Sequence, residues 1–402
     1  MNILIVATKD SGGAGIACSR LHQGLLAHGV SSKLLLLHPS KSNIPESYFF
    51  TEGWSKPKRL LHKIGQAIIN RLPYTKWFLP SDASPLVPIR SVYRLEEHPL
   101  YEWADIINLH WVPLFVDQKT FFKINKKPIV WTMHDMLPFS GGYAYEVGFP
   151  AKAYKHHVEV RENHKAQWLA SQNLTAVGLS KWLKERAQSS KAFSKHRHVL
   201  IPNGIDTETY RPYSKEEARS HFNISFDNPV ILFVAESLVN PRKGFRFLQE
   251  ALLKLPNSKP ITLLALGGGD VSVSPPHEVH KLGFISNSSD MAKAYSAADI
   301  VVIPSIEDNL PNTAVESTCC GTPVVAFNIG GMPDIVDHYT SGYLVDEIDS
   351  TSLAEGIQKA LNHTFTKDII RNQALEKFHT QKQTTAYIQL FTEILNHEKT
   401  EI

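Results

Sequence analysis

The sequence predicts an α/β protein of two domains, each a parallel β-sheet covered by helices. Apolar runs of strand length alternate with amphipathic stretches through both halves of the chain. A length of 402 residues makes two domains the default. Turn residues and prolines at Pro202-Asn-Gly-Ile-Asp206 and Tyr210-Arg-Pro212 break both patterns, which sets the boundary near 205–215.

The strands expected in the first half are 3–8, 33–37, 106–110, 128–134, 175–179 and 199–202. Those in the second are 230–235, 261–267, 279–283, 300–304 and 323–327. The expected division is therefore 1–205 and 206–380, with a last helix over 381–402 in which Tyr387, Leu390, Phe391 and Leu395 recur at helical spacing. Two such domains are expected to face one another across a cleft. Open α/β sheets bind ligands beyond the carboxyl ends of their strands, and each motif below falls at a strand end.

Composition narrows the class. Hydrophobic content of 43% and charged content of 20% are those of a soluble globular protein, and a net charge of +3 is too small to suggest a nucleic-acid partner. Cys18, Cys319 and Cys320 make no disulfide framework, so a reduced, cytoplasmic setting is expected. No stretch approaches the roughly 20 apolar residues that span a bilayer. Residues 1–10 read as a first strand, lacking the basic start and cleavage site of a signal peptide.

The segment from Ser305 to Phe327 carries the most chemistry. Asp308 and Glu316 stand eight positions apart, and Pro311-Asn312-Thr313 between them reads as a helix opening with Asn312 near the N-cap. A helix N-terminus offers N–H groups and positive dipole to an anion. Flanked by two carboxylates, it suits a ligand with both phosphate and hydroxyl groups, such as a nucleotide-sugar. Arg242 and Lys243, on the loop after the first strand of the second half, suit a diphosphate; solvated loop charge is the plainer reading.

In the first half, Ser11-Gly12-Gly13-Ala14-Gly15 follows the first strand, either as a close approach to phosphate or sugar or as a tight turn. It does not complete a dinucleotide fingerprint: Cys18 holds the third glycine position, and His38-Pro39 ends the second strand without an acid. Thr132-Met-His134-Asp135 places a histidine between a strand end and the loop Pro138-Phe-Ser-Gly-Gly142, where it either binds a ligand or caps the loop. No Asp-X-Asp triplet occurs and no His/Cys/Asp set has metal spacing, so no metal and no cofactor beyond the co-substrate are expected.

From Trp54 to Ser81 there is no acid, whereas Lys56, Lys58, Arg59, Lys63, Arg71 and Lys76 accompany Leu60, Leu61, Ile64, Ile68 and Leu72 at helical spacing. A basic amphipathic helix over 55–78 either lies on an anionic membrane surface or packs on its own domain.

Taken together, these residues resemble the retaining glycosyltransferases of family 4 (GT4, glycosyl transferases group 1), over essentially the whole chain. The likeness is most specific from Asp299 to Val345, including Gly330-Gly-Met-Pro-Asp334 and Ser341-Gly-Tyr-Leu344, and clear in Asn203-Gly-Ile-Asp206 and Arg242-Lys-Gly244. The resemblance implies a GT-B fold, with an acceptor-binding first domain, a donor-binding second domain and a last helix that crosses back to the first. The family's acid pair is usually Glu and Glu. Here the first position is Asp308, beside Glu307, and it is implied to contact donor-sugar hydroxyls. Glu316 matches the acid that holds the ribose, and Asn312 and Thr313 the helix start that binds the distal phosphate. Lys243 matches the diphosphate-binding Lys. The Arg that the family commonly carries ahead of that Lys falls near Ser237, leaving Arg242 to supply the charge. His134 is implied to touch the sugar or assist the attack, and Gly13, next to Gly12, to lie under the phosphates.

The resemblance further implies an enzyme moving a sugar from a UDP- or GDP-sugar to a glycan or lipid-linked acceptor, cytoplasmic, in surface polysaccharide or glycolipid biosynthesis. A binding protein with weakened catalysis, or an epimerase or phosphorylase of the same fold, are the other readings. A dehydrogenase is disfavoured by the broken glycine fingerprint.

Overall fold

The computed structural model describes residues 1–38, 43–71, 86–149, 151–256 and 260–400. It divides into two compact units, Met1–Gly204 with Gln381–Ile402, and Ile205–Thr380.

The first unit carries β1 (Asn2–Ala7), β2 (Ser31–Leu36), β3 (Ser47–Phe49), β4 (Ile106–Leu109), β5 (Ile129–Met133), β6 (Leu174–Gly178) and β7 (Arg197–Leu200). They form a parallel sheet in the order β3-β2-β1-β4-β5-β6-β7. Strands covered on both faces read as continuous apolar runs, which is why β1, β4 and β5 are plain in the sequence. Alternate side chains feed two cores. Leu4, Val6, Ile107, Leu109, Ile129 and Trp131 point to one. Ile3, Ile5, Ile106 and Val130 point to the other, where they meet Tyr387, Leu390, Phe391 and Ile394 of the last helix, Thr380–Thr400. Gly24 lets that helix pass close by: a Cβ there would stand 2.3 Å from the Thr384 hydroxyl.

The second unit carries β8 (Val230–Ser237), β9 (Thr262–Gly268), β10 (Glu278–Gly283), β11 (Ile300–Ile303), β12 (Val324–Phe327) and β13 (Gly342–Val345). Its parallel order is β10-β9-β8-β11-β12-β13. The helices Phe245–Leu252 and Ser350–Asn362 cover one face through Leu248, Leu252, Leu353 and Ile357. β3 and β13 are additions to the strands read from sequence. Strand order reverses direction between β1 and β4 and between β8 and β11. Loops leaving these neighbours diverge there and open a crevice at the carboxyl ends.

The helix Lys56–Arg71, expected either to lie on an anionic membrane surface or to pack on its own domain, packs on the first unit by a face other than its apolar stripe. It docks through His62, Gly65 and Gln66. The His62 ring lies 4.4 Å from Trp54, and Gln66 Oε1 accepts from the Ser91 hydroxyl and the Val92 amide at 3.2 and 3.1 Å. Leu60, Leu61, Ile64 and Ile68 face outward, 60, 68, 50 and 59% exposed. Leu72, Lys76 and the rest of the stretch to 78 lie outside the described residues. Among the described residues no helix is long and apolar enough to cross a membrane.

Candidate active site

In the second unit the polar groups gather after β8, β11 and β12. The turn Pro241–Lys243 is started by Asn240, whose side chain accepts from the Arg242 amide at 3.0 Å. Gly244 closes it with φ of 72°, and a Cβ there would lie 1.8 Å from the Pro304 carbonyl oxygen. Only glycine lets this turn lie against the end of β11. The Ile306 amide then donates to the Arg242 carbonyl at 3.0 Å, fixing the two loops together.

That juxtaposition brings three predicted residues into one cluster. Lys243 Nζ stands 2.6 Å from Asp308 Oδ2, and Arg242 donates 2.6 Å to the Glu307 carbonyl while its guanidinium lies 3.4 Å from Asp308. Asp308 is 5% exposed. Burial by itself would raise its carboxyl; the charges of Lys243 and Arg242 outweigh it and hold the group below the usual range. The Asn309 amide donates to Asp308 Oδ1 at 3.1 Å. Gly330, with φ of 55°, has room for no Cβ beside the Asp308 carbonyl, and the Gly331 amide donates to that carbonyl at 3.2 Å.

The helix Asn312–Cys319 opens where expected, one position earlier. Pro311 is the N-cap and Asn312 the first helical residue, because proline's fixed φ of −65° suits the entry and leaves no side-chain cap. Asn312 and Thr313 therefore lie in the first turn, whose N–H groups have no intrahelical carbonyls to bond. Glu316, 7% exposed, accepts from the Tyr295 hydroxyl at 2.9 Å, and burial followed by the Glu316 charge pushes the Tyr295 phenol well up. Arg371 donates to the carbonyls of Cys319, Tyr210 and Thr207, closing the far end of this helix with a cation. Ser237 ends β8.

A cavity of about 820 Å³ in this unit lies at the opposite ends of the strands, lined by Lys215, Arg219, Asp299 and Lys367 among others. Its charges serve the fold: Asp299 accepts from Lys215, Arg219 and the Val230 amide.

In the first unit, Gly12, with φ of 74°, and Gly13 begin the helix Gly12–Ala27 directly after β1. Gly15 is held by packing, since a Cβ there would lie 2.4 Å from the Asp10 carbonyl carbon. His134 follows β5 and is partly exposed, and His110 follows β4 and is buried. His110 Nδ1 and His134 Nε2 are 3.0 Å apart. Burial lowers His134 to about 4; burial, then His134 itself, lowers His110 well below its ordinary value. Asp135 accepts from the Trp111 indole and the Leu137 amide at 3.1 and 2.9 Å. The loop beyond is clamped by Lys165, 1% exposed, whose ammonium donates to the carbonyls of Leu137 and Ser140. Its burial without a bonded carboxylate lowers it to about 7.

Sequence reasoning missed Asn108, Lys165 and Tyr295. Asn108 had a signal, a lone amide inside an apolar strand. The other two sit on helices far along the chain from their partners. Among the described residues no group of three or more His, Cys, Asp or Glu is placed to hold a metal ion.

Residues 11–209 match the family model described as glycosyltransferase family 4, and residues 228–363 that described as glycosyl transferases group 1. A D-inositol 3-phosphate glycosyltransferase of Segniliparus rotundus is 33% identical over 160 residues, 37% of this chain and 35% of that protein. An uncharacterized glycosyltransferase of Methanocaldococcus jannaschii is 27% identical over 285 residues, 67% of this chain and 69% of that protein. The chain spans a third to a half of the length of the D-inositol 3-phosphate glycosyltransferases it matches. Among solved structures, sucrose-phosphate synthase from Thermosynechococcus elongatus aligns with 99% of this chain and all of its own at a TM-score of 0.66 and 18% identity. HepE from Anabaena, in complex with UDP, aligns over 98% of this chain and all of its own at 0.64 and 19%. At these identities the structural likeness is one of fold, and the fold is GT-B. One family model spans most of the first parallel-sheet unit and the other most of the second, and the chain belongs to the family 4 glycosyltransferases.

Proposed function

We propose that the chain moves a sugar from a UDP- or GDP-sugar to a hydroxyl of a glycan or lipid-linked acceptor, with retention of anomeric configuration, in surface polysaccharide or glycolipid biosynthesis. The observation that carries this reading is Asp308, buried between Lys243 and Arg242 after β11 and followed by the helix opening at Asn312 and Thr313 with Glu316 one turn in. The HepE structures, one in complex with UDP and one with UDP-glucose, support a nucleotide-sugar donor.

In this reading the anomeric C–O bond breaks, the electron pair leaves on the nucleoside diphosphate, and the acceptor oxygen attacks from the same face. The acceptor proton passes to a leaving phosphate oxygen. An ammonium has three donors, so Lys243 serves phosphate oxygens while keeping Asp308. Lys243, Arg242 and the first turn at Thr313 stabilise the departing charge, which is the work a divalent ion would otherwise do. Asp308 contacts sugar hydroxyls, Glu316 the ribose, Gly12 and Gly13 the phosphates, and His134 acts toward the sugar as a neutral hydrogen-bonding group. The test is a thermal-shift screen of UDP-, GDP- and ADP-sugars followed by nucleotide release. A donor at 100 times its Kd stabilises by roughly 2.7 kcal/mol. Stabilisation with no release on any acceptor points instead to a binding protein with weakened catalysis, and no stabilisation by any donor rejects the reading.

A second observation favours a peripheral site of action on the inner face of a membrane. The outward stripe Leu60, Leu61, Ile64 and Ile68 is accompanied by Lys56, Arg59 and Lys63, all exposed, on a helix without an acid. Apolar area with a cationic border suits an anionic lipid surface. Sedimentation with phosphatidylglycerol vesicles is expected, is lost in Leu61→Glu/Ile64→Glu, and weakens with salt. Equal sedimentation with phosphatidylcholine vesicles, or none with either, rejects the contact.

A further inference from the structure

Behind His134 runs a continuous line of buried hydrogen bonds, and each bond restricts the next. Asn108 is fully buried within β4. One end of its amide lies 2.9 Å from the Val130 carbonyl oxygen and 3.0 Å from the Thr132 hydroxyl. A carbonyl oxygen accepts only, so that end is the NH2. The other end, the amide oxygen, faces His110 Nε2 at 3.0 Å, and His110 Nε2 must carry a proton. His110 is buried with a neutral amide on one ring nitrogen and a second imidazole on the other, surroundings that disfavour its cation. Its Nδ1 is then a bare acceptor. His134 Nε2, 3.0 Å away, must donate to it.

We infer that Asn108 and His110 are positioning residues that fix His134 as its Nε2–H tautomer. His134 then accepts at Nδ1 and does not donate there, so toward a sugar it receives a hydroxyl proton's hydrogen bond and is no general acid from that edge. The tautomer stands on this geometry together with the neutral, buried surroundings of His110; its consequence for turnover rests on the proposed contact between His134 and the donor sugar.

The experiment is a long-range proton–nitrogen correlation spectrum of the full chain labelled at histidine, with His110→Phe and His134→Gln used for assignment. Both rings are expected to show the Nε2–H pattern. An Nδ1–H pattern, or averaging between tautomers, at His134 overturns the inference. Asn108→Asp supplies the reverse test. A carboxylate stabilises a His110 cation that donates from both nitrogens, and His134 is expected to switch to Nδ1–H. If Asn108→Asp does not fold, the wild-type spectrum still decides. With the tautomer established, His110→Phe is expected to lower kcat about tenfold, the worth of one hydrogen bond, with the KM for donor changed less. Unchanged kcat beside a lost tautomer rejects the role of His134 in turnover and leaves the tautomer assignment standing.

Discussion

The two units bring different electrostatics to the carboxyl ends of similar sheets. In and just after β4 and β5 the first unit holds neutral groups bonded head to tail: Asn108 within β4, then His110 and His134 beyond the strand ends. After β8 and β11 the second holds Arg242 and Lys243, each within 3.4 Å of Asp308, with Glu316 in the helix beyond. A neutral chain gains its worth from direction, because each donor fixes the next acceptor. A charged cluster gains its worth from field, and it can meet a doubly charged diphosphate. Substitutions in the two units should therefore differ in size.

The largest effect is expected at Lys243. Lys243→Ala removes one electrostatic stabiliser of the leaving group and is expected to lower kcat by a factor on the order of 10²–10³. His134→Ala removes neutral hydrogen bonding and is expected to cost about tenfold. Steady-state kinetics on the natural donor and acceptor checks both, and a His134 loss exceeding that at Lys243 breaks the contrast. Next in size is Glu316→Ala. Hydrogen bonds to a charged group are worth about 1.5–3 kcal/mol, so the Kd for the nucleoside diphosphate should rise roughly 10–100-fold by calorimetry. Tyr295→Phe, which leaves the carboxylate one donor short, should weaken it less. Equal affinity in Glu316→Ala removes the ribose role.

The sequence carried the charged region better than the neutral one. Arg242, Lys243, Asp308 and Glu316 could be found as charges placed after apolar runs, because a buried parallel strand leaves a plain signal and its next few residues must be loop. The closeness of Lys243 to Asp308 was not legible. It depends on Gly244 lying against Pro304, a contact between residues 60 apart. Asn108 looked like an interruption of a strand, and its amide orientation depends on Val130 and Thr132 of the neighbouring strand. β3 has three residues, too few for any period, and β13 begins at Gly342, where a Cβ would lie 2.0 Å from the Val324 carbonyl oxygen. The helix Lys56–Arg71 shows a further limit. Periodicity finds the apolar stripe of Leu60, Leu61, Ile64 and Ile68 without saying which way it faces, and Gly65 with Gln66 turned it outward.

Acid should separate the units. His22, His98, His110, His134, His196 and His198 are each held below their ordinary value first of all by burial, and all belong to the first unit. The unfolded chain takes these protons near 6.5, whereas the folded chain resists them further down, His134 to about 4. Their contribution to stability is thus full above about 6.5 and falls as pH drops from there toward 4. Glu96 and Glu162, raised mainly by burial, oppose this over part of the window. In the second unit Asp308 lies below its ordinary value of 3.8, so its contribution is lost only as pH falls further. All seven tryptophans precede residue 205, so their fluorescence reports the first unit alone. An acid transition in tryptophan emission between about pH 6.5 and 4 is expected, earlier than loss of nucleotide-linked stabilisation from the second unit. A single transition below pH 4 in both signals contradicts it.

The smallest effect tests how far the neutral chain extends. The Tyr387 hydroxyl lies 2.8 Å from the Thr132 hydroxyl, which also accepts from Asn108, so the last helix joins the line behind His134 through one bond. Tyr387→Phe keeps the ring in the core with Leu390 and Phe391 and removes only that bond. If the bond acts alone, the change costs about 0.5–1.5 kcal/mol, read as a shift in thermal unfolding followed by tryptophan emission. If the chain from Tyr387 to His134 is cooperative, the cost is larger, and a double-mutant cycle with Thr132→Val gives a coupling that neither single change contains. A cost within error of zero confines the neutral chain to Asn108, His110 and His134, and leaves the last helix with no part in it.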